Sequence, residues 1–148
     1  MLRFLLACAL VPSIAACGSE SEPGRTTVVI HGEQVVTLAV EVADSPVERE
    51  RGLMGRTTLA PDAGMLFLFD RPTTTSFVMR DTTIPLSIAF YDGGGVITQI
   101  LDMDPCRAEP CPLYRPRAAY VGALEVRQGA FRRFGVREGD QLGLSGTG

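Results

Sequence analysis

The feature that most constrains the fold of this chain is a strict alternation of apolar and polar side chains near its start. Between positions 36 and 42, the even-numbered positions are Val or Leu and the odd-numbered ones are Thr, Ala and Glu. Successive side chains of a β-strand point to opposite faces, so this period of two predicts a strand with one buried face. The apolar run 27–30 precedes it, and His31 and Gly32 between the two runs indicate a turn.

Short apolar runs recur along the rest of the chain and are separated by Gly, Pro and Asp. They predict further strands at 64–69, 75–80, 84–92, 96–103 and 119–126 and within 136–144. One short helix is expected to begin at a capping box of Ser45 and Glu48 with Pro46 at its first position, and another within 128–135. We therefore expect a mostly β chain: a single small β-sandwich or barrel-like domain of about seven short strands with one or two short helices.

The N-terminal segment has the features of an export signal. Arg3 precedes a short apolar run, and the small residues Ala15 and Ala16 lie directly before Cys17. The sequence IAAC at 14–17 resembles a bacterial lipobox, in which the cysteine receives the lipid. We predict a signal peptide at 1–16, lipid attachment at Cys17, a flexible tether at 17–25 and one domain at 26–148, anchored to a membrane of the cell envelope on its extracytoplasmic side. A plain secretory signal cleaved nearby is the alternative.

The composition excludes several classes of function. The formal charge is −3, which argues against general nucleic-acid binding. The sequence has no lysine, which excludes Schiff-base chemistry, and one histidine, His31, which excludes a site built on several imidazoles. We predict neither a metal site nor a cofactor. Residues 106–137 carry seven arginines against two glutamates, which indicates a solvated surface or a face toward an acidic partner.

Cys106 and Cys111 are the matched pair of cysteines in the predicted domain. Disulfides persist outside the cytoplasm, and the spacing of this pair differs from the C-x-x-C of thioredoxin-like sites. We predict a structural disulfide that stiffens the proline-rich segment 104–116. A redox or copper-binding role is the alternative.

Several motifs together resemble a known family. They are RGLMGR (51–56), GMLFLF (64–69), SFVMRDTTIPLSIAF (76–90), CPLY (111–114), ALEVRQGAF (123–131) and GVREGDQL (135–142). Residues 37–143 are similar to the bacterial and archaeal domain of unknown function family 192. This resemblance implies a compact β-sandwich, often exported, without an established activity. The chain departs from the usual family pattern at Val78, Arg80 and Asp81, where Trp, Lys and Asn are common, and at Ser87, where Asp is common.

The candidate binding surface combines charged and polar residues at a predicted strand end with two downstream arginines. It comprises Arg56, Met79, Arg80, Asp81, Thr82, Arg115 and Arg117. A local ion pair between Arg80 and Asp81 is the simpler interpretation of the central part. Methionines 54, 65, 79 and 103 would suit copper(I) if two or more of them met at the surface, but they also suit a core.

The function that these observations favour is a non-catalytic binding or accessory module that recognises an envelope protein or an anionic polymer. One alternative is a cell-envelope hydrolase that uses Asp81, Asp102 or Glu125 as acid and base, which requires two of these carboxylates to converge in a cleft. Another alternative is a soft-metal carrier.

Overall fold

The computed structural model describes residues 24–145. It contains nine strands and two short helices in this part of the chain. In chain order they are β1 (Arg25–His31), β2 (Val35–Ala43), α1 (Pro46–Arg51), β3 (Ala63–Thr73), β4 (Phe77–Val78), β5 (Leu86–Tyr91), β6 (Ile97–Met103), β7 (Leu113–Tyr114), β8 (Tyr120–Arg127), α2 (Ala130–Arg133) and β9 (Gln141–Ser145). The predicted mostly β fold is confirmed. Neither helix of the described region has the length and apolar content needed to cross a bilayer.

Seven of the strands form one curled sheet, a half-barrel, in the order β6-β5-β8-β3-β2-β1-β9. Neighbouring strands are antiparallel except β2 and β3, whose parallel pairing requires the crossover that contains α1. The outermost strands of the sheet approach each other where Val96, just before β6, bridges to Gln141 of β9. Leu142 N–H donates to the Gly95 carbonyl at 2.8 Å in the same place, so the sheet closes on itself at one end.

The concave face of the sheet encloses an inner core to which all seven strands contribute. Its members include Ile30, Leu38, Leu66, Leu124 and Leu142, all nearly or completely buried. The alternation that predicted β2 thus places its even-numbered residues Leu38 and Val40 inside the curled sheet. Phe131 of α2 also packs into this core.

The opposite, convex face of the sheet carries a second apolar layer, the outer core. Met65, Phe67, Ile88 and Phe90 point outward from the central strands and are at most 3 % exposed. Loops cover them, and the loops contribute Leu53 and further side chains to the same cluster. A two-stranded sheet of β4 and β7 lies within these loops.

The segment around β4 differs from the sequence prediction. The apolar run 75–80 predicted a full strand, but Phe77 and Val78 are its only strand residues and they pair with Tyr114 and Leu113. The chain then turns: Thr82 N–H donates to the Met79 carbonyl at 3.3 Å, and Asp81 has a positive φ of 51°. The apolar side chains of this run cover the outer core rather than extending the main sheet.

Candidate functional site

A groove, here called the outer groove, lies on the convex side of the molecule between α1 and the segment 75–80. Its volume is about 510 Å³. Pro46 and Met54 line it together with Phe69, Phe77 and Val78. Apolar side chains therefore supply most of its contact surface.

A capping box at the start of α1 fixes the helix that forms one wall. Ser45 Oγ accepts a hydrogen bond from Glu48 N–H at 3.3 Å, and the Glu48 carboxylate accepts one from Ser45 N–H at 3.0 Å. These contacts satisfy backbone donors that an uncapped helix would leave unpaired. The helix end predicted from Ser45, Pro46 and Glu48 is confirmed.

A smaller cavity of about 40 Å³, here called the Glu125 pocket, adjoins the outer groove. The two cavities share six lining residues, among them Met54, Phe67, Phe77 and Val78. Glu125 of β8 lines this pocket and lies on the outer face of the sheet. The groove therefore lies next to a pocket that contains one buried acid.

Glu125 is a buried acid without a protein partner. It is 5 % exposed, and its carboxylate has no hydrogen bond or ion pair to any described residue. Every fully buried polar side-chain atom of residues 24–145 has a partner, so the unpaired oxygens of Glu125 keep contact with the pocket. Burial raises the pKa of Glu125 from the ordinary 4.5 to about 8.

The other side chains around the pocket are mostly electron-rich or apolar. Met79 is 2 % exposed, and the rings of Phe67 and Phe77 pack edge to face with centroids 5.0 Å apart. Thr82 Oγ1 donates to the Arg80 carbonyl at 3.1 Å, which leaves its oxygen lone pairs as acceptors.

Arg49 lines both cavities, and Arg80 lines the outer groove. Arg49 donates to the backbone carbonyls of Asp44 and, at 2.8 Å, Leu68, and its guanidinium carbon lies 5.0 Å from the centroid of the Phe69 ring. Arg80 Nε donates to Glu109 at 2.8 Å, and this contact lowers the pKa of the Glu109 carboxyl. Both cations are therefore held by the protein itself.

The structure brings together part of the predicted binding surface. Met79 and Thr82 line the Glu125 pocket, and Arg80 lines the outer groove. Asp81 is in the adjacent exposed turn, where its carbonyl accepts a hydrogen bond from Gly55 N–H at 2.9 Å. The expected local ion pair between Arg80 and Asp81 is replaced by the pair of Arg80 with Glu109.

The remaining arginines of the predicted surface line neither of these two cavities. Arg56 binds Glu41, with Nη1 2.6 Å from Oε1. Arg117 binds Glu138 at 3.1 Å, and Arg115 is exposed. Two of these three arginines are thus paired with carboxylates of other segments.

The carboxylates considered for a hydrolase do not converge. Asp102 accepts a hydrogen bond from Ser87 Oγ and lies 3.6 Å from Arg132, beside a separate cavity of about 280 Å³ next to α2. Ser87 pairs across the sheet with Asp102 and with Val126 of the inner core, so Asp102 and Glu125 are on opposite faces. Glu125 therefore has neither Asp81 nor Asp102 as a second carboxylate in its pocket.

The methionines considered for copper are divided between two environments. Met65 and Met103 are buried in the outer core, whereas Met54 and Met79 line the Glu125 pocket. The described residues contain no group of three or more His, Cys, Asp or Glu side chains that could hold a metal ion.

Cys106 and Cys111 have their sulfur atoms 2.07 Å apart, the bonding distance expected of the predicted disulfide. Cys106 also packs against the outer core, so the bridge holds the long β6–β8 connection near the sheet. Cys17 and the predicted signal peptide lie outside the described residues.

Sequence reasoning missed the central position of Glu125, which it named only as one of three possible acids. A signal was present, because this glutamate is the one charged residue in the apolar run 119–126. The pocket residues Phe67 and Phe77 carry no such signal, since apolar residues in strands are ordinary core residues.

The fold and the site together define a small half-barrel β domain with an apolar groove beside a pocket that contains a buried acid. This chain belongs to the DUF192 family, described as an uncharacterised ACR family, whose family model matches residues 26–144. The membership suggested by the sequence motifs is thus confirmed.

Two solved structures share this fold. A protein of Sinorhizobium meliloti 1021, provisionally described as a transcription regulator, is 32 % identical, with a TM-score of 0.80 over 86 % of this chain and 98 % of that one. A protein of unknown function from Novosphingobium aromaticivorans DSM 12444 is 27 % identical, with a TM-score of 0.74 over 91 % of this chain and 94 % of that one. A comparison with curated proteins gave no match.

Proposed function

We propose that this chain is a lipid-anchored, extracytoplasmic module that binds a ligand in its outer groove and catalyses no reaction. The observation that carries the proposal is that the apolar groove adjoins the Glu125 pocket and shares lining residues with it. Ligand sites commonly combine apolar walls, which supply binding free energy, with a few polar groups that orient the ligand. The separation of Glu125 from Asp102 supports binding over acid–base hydrolysis.

The proposed location rests on the N-terminal sequence. Arg3, the apolar run after it and the lipobox-like residues 14–17 are in the order that export and lipidation require. The family match starts at residue 26, directly after the predicted tether at 17–25. This spacing suits a folded module held close to a membrane surface.

The kind of ligand follows from the arrangement of charge. An anionic polymer would need a continuous positive surface, but Arg80 pairs with Glu109 and Arg117 with Glu138. An apolar ligand, or an apolar segment of a partner envelope protein, matches the groove better. The negative net charge of the chain disfavours DNA binding.

Photo-crosslinking in intact cells tests groove binding. The photoreactive residue p-benzoylphenylalanine replaces Ser76, which lines the outer groove, or Leu144, which is 48 % exposed on β9 and serves as the control position. We expect a discrete adduct from position 76, identified by mass spectrometry, and none of the same mass from position 144. Equal labelling at the two positions, or no adduct at position 76, would contradict groove binding.

A further inference from the structure

We propose that the Glu125 pocket receives a primary ammonium group whose apolar stem lies in the outer groove. This inference rests on the proposed groove binding and specifies the chemistry of the ligand. Its basis is the position of Glu125, which is 5 % exposed, has no partner among residues 24–145 and lines the pocket.

A charged Glu125 carboxylate needs a cation or a hydrogen-bond donor beside it. A buried carboxylate without a hydrogen-bond donor or a cation is unfavourable, because it has lost its hydration. When no ligand is bound, protonation neutralises the carboxyl group of Glu125, since burial raises its pKa to about 8. An incoming ammonium group can displace that proton and form an ion pair in its place. The pocket therefore favours a cation that can hydrogen-bond.

The uncharged side chains of the pocket are compatible with a positive charge. Met54 and Met79 offer thioether sulfur atoms, and Phe67 and Phe77 offer aromatic rings. Thioethers are weak acceptors, and the faces of aromatic rings attract cations. The hydroxyl of Thr82 already donates to a backbone carbonyl, so it meets a ligand as an acceptor.

The size of the cavities matches one small head group on a longer stem. A water molecule occupies about 30 Å³ of liquid. The Glu125 pocket, at about 40 Å³, therefore has room for one group of ammonium size. The outer groove, at about 510 Å³, has room for the carbon stem.

The charged groups that face the pocket all come from α1 and its end. They are Arg49, Glu50 and Arg51, whereas the strands and the segment 77–82 line the pocket with uncharged side chains apart from Glu125 itself. Arg49 is directed to two backbone carbonyls. Burial is the cause of the raised pKa of Glu125, with no contribution from these arginines. Arg49 and Arg51 therefore do not act as the counter-ion of Glu125.

An ammonium group on an apolar stem could belong to a small alkylamine or to a lysine side chain of another protein. This chain cannot supply it from a second copy of the folded domain, because all fourteen of its basic residues other than histidine are arginines. Two probes distinguish these sources: n-hexylammonium and the peptide acetyl-Leu-Lys-Leu-amide.

Calorimetric titration of the full chain in detergent micelles, with micelle-only blanks, tests the proposal. We expect n-hexylammonium, the peptide, or both to bind, whereas hexanoate and 1-hexanol bind more weakly. Because the cation displaces a proton held with a pKa of about 8, affinity should rise about tenfold from pH 7 to pH 9. Nearly one proton should be released for each cation bound at pH 7.

Substitution of Glu125 provides the second arm of the test. Glu125→Gln keeps the shape but cannot become an anion, so it should weaken cation binding at pH 9 by more than about tenfold, one pKa unit of differential interaction. Glu33→Gln is the matched control, because Glu33 is exposed and pairs with Arg137 away from the pocket. It should bind as the unaltered chain does.

Three outcomes would overturn the ammonium proposal: equal affinity in the Glu125→Gln variant, affinity that falls as the pH rises, or no binding of either cationic probe. If hexanol or hexanoate binds best, the ammonium proposal fails while groove binding stands. Binding of n-hexylammonium alone would identify a small amine, and binding of the peptide alone would identify a lysine side chain.

Discussion

At the scale of single residues, Glu125 and Gly122 of β8 are both influenced by the groups packed around them. At Glu125 these surroundings affect the charge, and at Gly122 they limit the size of the side chain. Glu125 faces the outer side of the sheet and has no partner there. Gly122 is paired with Tyr91, and a Cβ atom at Gly122 would lie 2.0 Å from the Tyr91 hydroxyl oxygen. The burial of Glu125 disfavours its charged form, whereas Gly122 provides the space that the buried Tyr91 needs.

Replacing Glu125 with Gln should stabilise the folded chain, increasingly so as the pH rises. Below about pH 4.5 the Glu125 carboxyl group is protonated in both the folded and the unfolded chain, so its ionisation does not lower the free energy of unfolding. Between 4.5 and about 8 the unfolded chain releases the proton while the folded chain keeps it, and stability falls as the pH increases. Glutamine does not ionise, so at this position it adds no pH dependence to the free energy of unfolding. Urea unfolding at pH 5 and pH 8 measures the difference.

The control for this experiment is Glu33→Gln, an exposed site. We expect a much smaller change between the two pH values for this variant. A Glu125→Gln variant whose advantage over the unaltered chain is the same at pH 5 and pH 8 would show that Glu125 ionises normally in the folded state.

Replacing Gly122 with Ala should destabilise the domain by about 1–3 kcal/mol, the usual cost of overpacking a core. The added methyl group would collide with Tyr91, which is 7 % exposed and has little freedom to move away. Gly93→Ala is the matched control, because a Cβ atom there would meet nothing within 4 Å. Chemical denaturation of both variants checks the prediction, and equal midpoints would contradict it.

At the scale of elements, the connections on the convex side determine the site more than the strands do. The β6–β8 connection contains β7, which pairs with β4, and Phe77 of β4 lines both cavities. Tyr114 of β7 donates its hydroxyl to the Asp104 carbonyl at 3.3 Å and accepts from Asp104 N–H at 2.9 Å. These hydrogen bonds close the connection on itself, and the pairing of β7 with β4 holds it beside the groove residue Phe77.

Removing the Cys106–Cys111 bridge should loosen this connection. Replacing both cysteines with Ser is expected to lower the free energy of unfolding by about 2 kcal/mol, the chain-entropy estimate for so short a loop. Thermal unfolding of the purified, oxidised protein measures the loss. Mass spectrometry after alkylation, with and without prior reduction, is the accompanying control. Two thiols that react before reduction would contradict the bridge.

At the scale of the whole molecule, closure of the sheet separates two apolar layers with different roles. The bridge from Val96 to Gln141 joins strands at opposite ends of the sheet order and encloses the inner core. Loops cover the outer core, and the outer groove and the Glu125 pocket lie where those loops meet. The inner core thus supports the fold, and the convex side is available for binding.

Attachment to a membrane is the prediction that concerns the molecule as a whole. Replacing Cys17 with Ala removes the thiol that lipid would modify, so the protein should leave the membrane pellet and appear in the soluble extracytoplasmic fraction. Cell fractionation with immunodetection measures this shift. Cys106→Ala is a suitable control, because it also removes a thiol but should stay in the pellet. Pelleting of the Cys17→Ala protein would contradict lipidation at this residue.

The sequence by itself determined the features that depend on neighbouring residues. The period of two in β2 placed Leu38 and Val40 in the inner core, and Ser45 with Glu48 fixed the start of α1. Local patterns suffice here, because strand faces and helix caps are set by side chains a few positions apart.

The tertiary structure alone decided the site. The length of β4 follows from its pairing with β7, some 36 residues later in the chain, and the turn at Asp81 ends the run that the sequence predicted as a strand. Glu125 has its raised pKa because α1 and segment 77–82 cover it. Burial of a charge depends on which distant segments fold over it, and such contacts leave no periodic pattern along the chain.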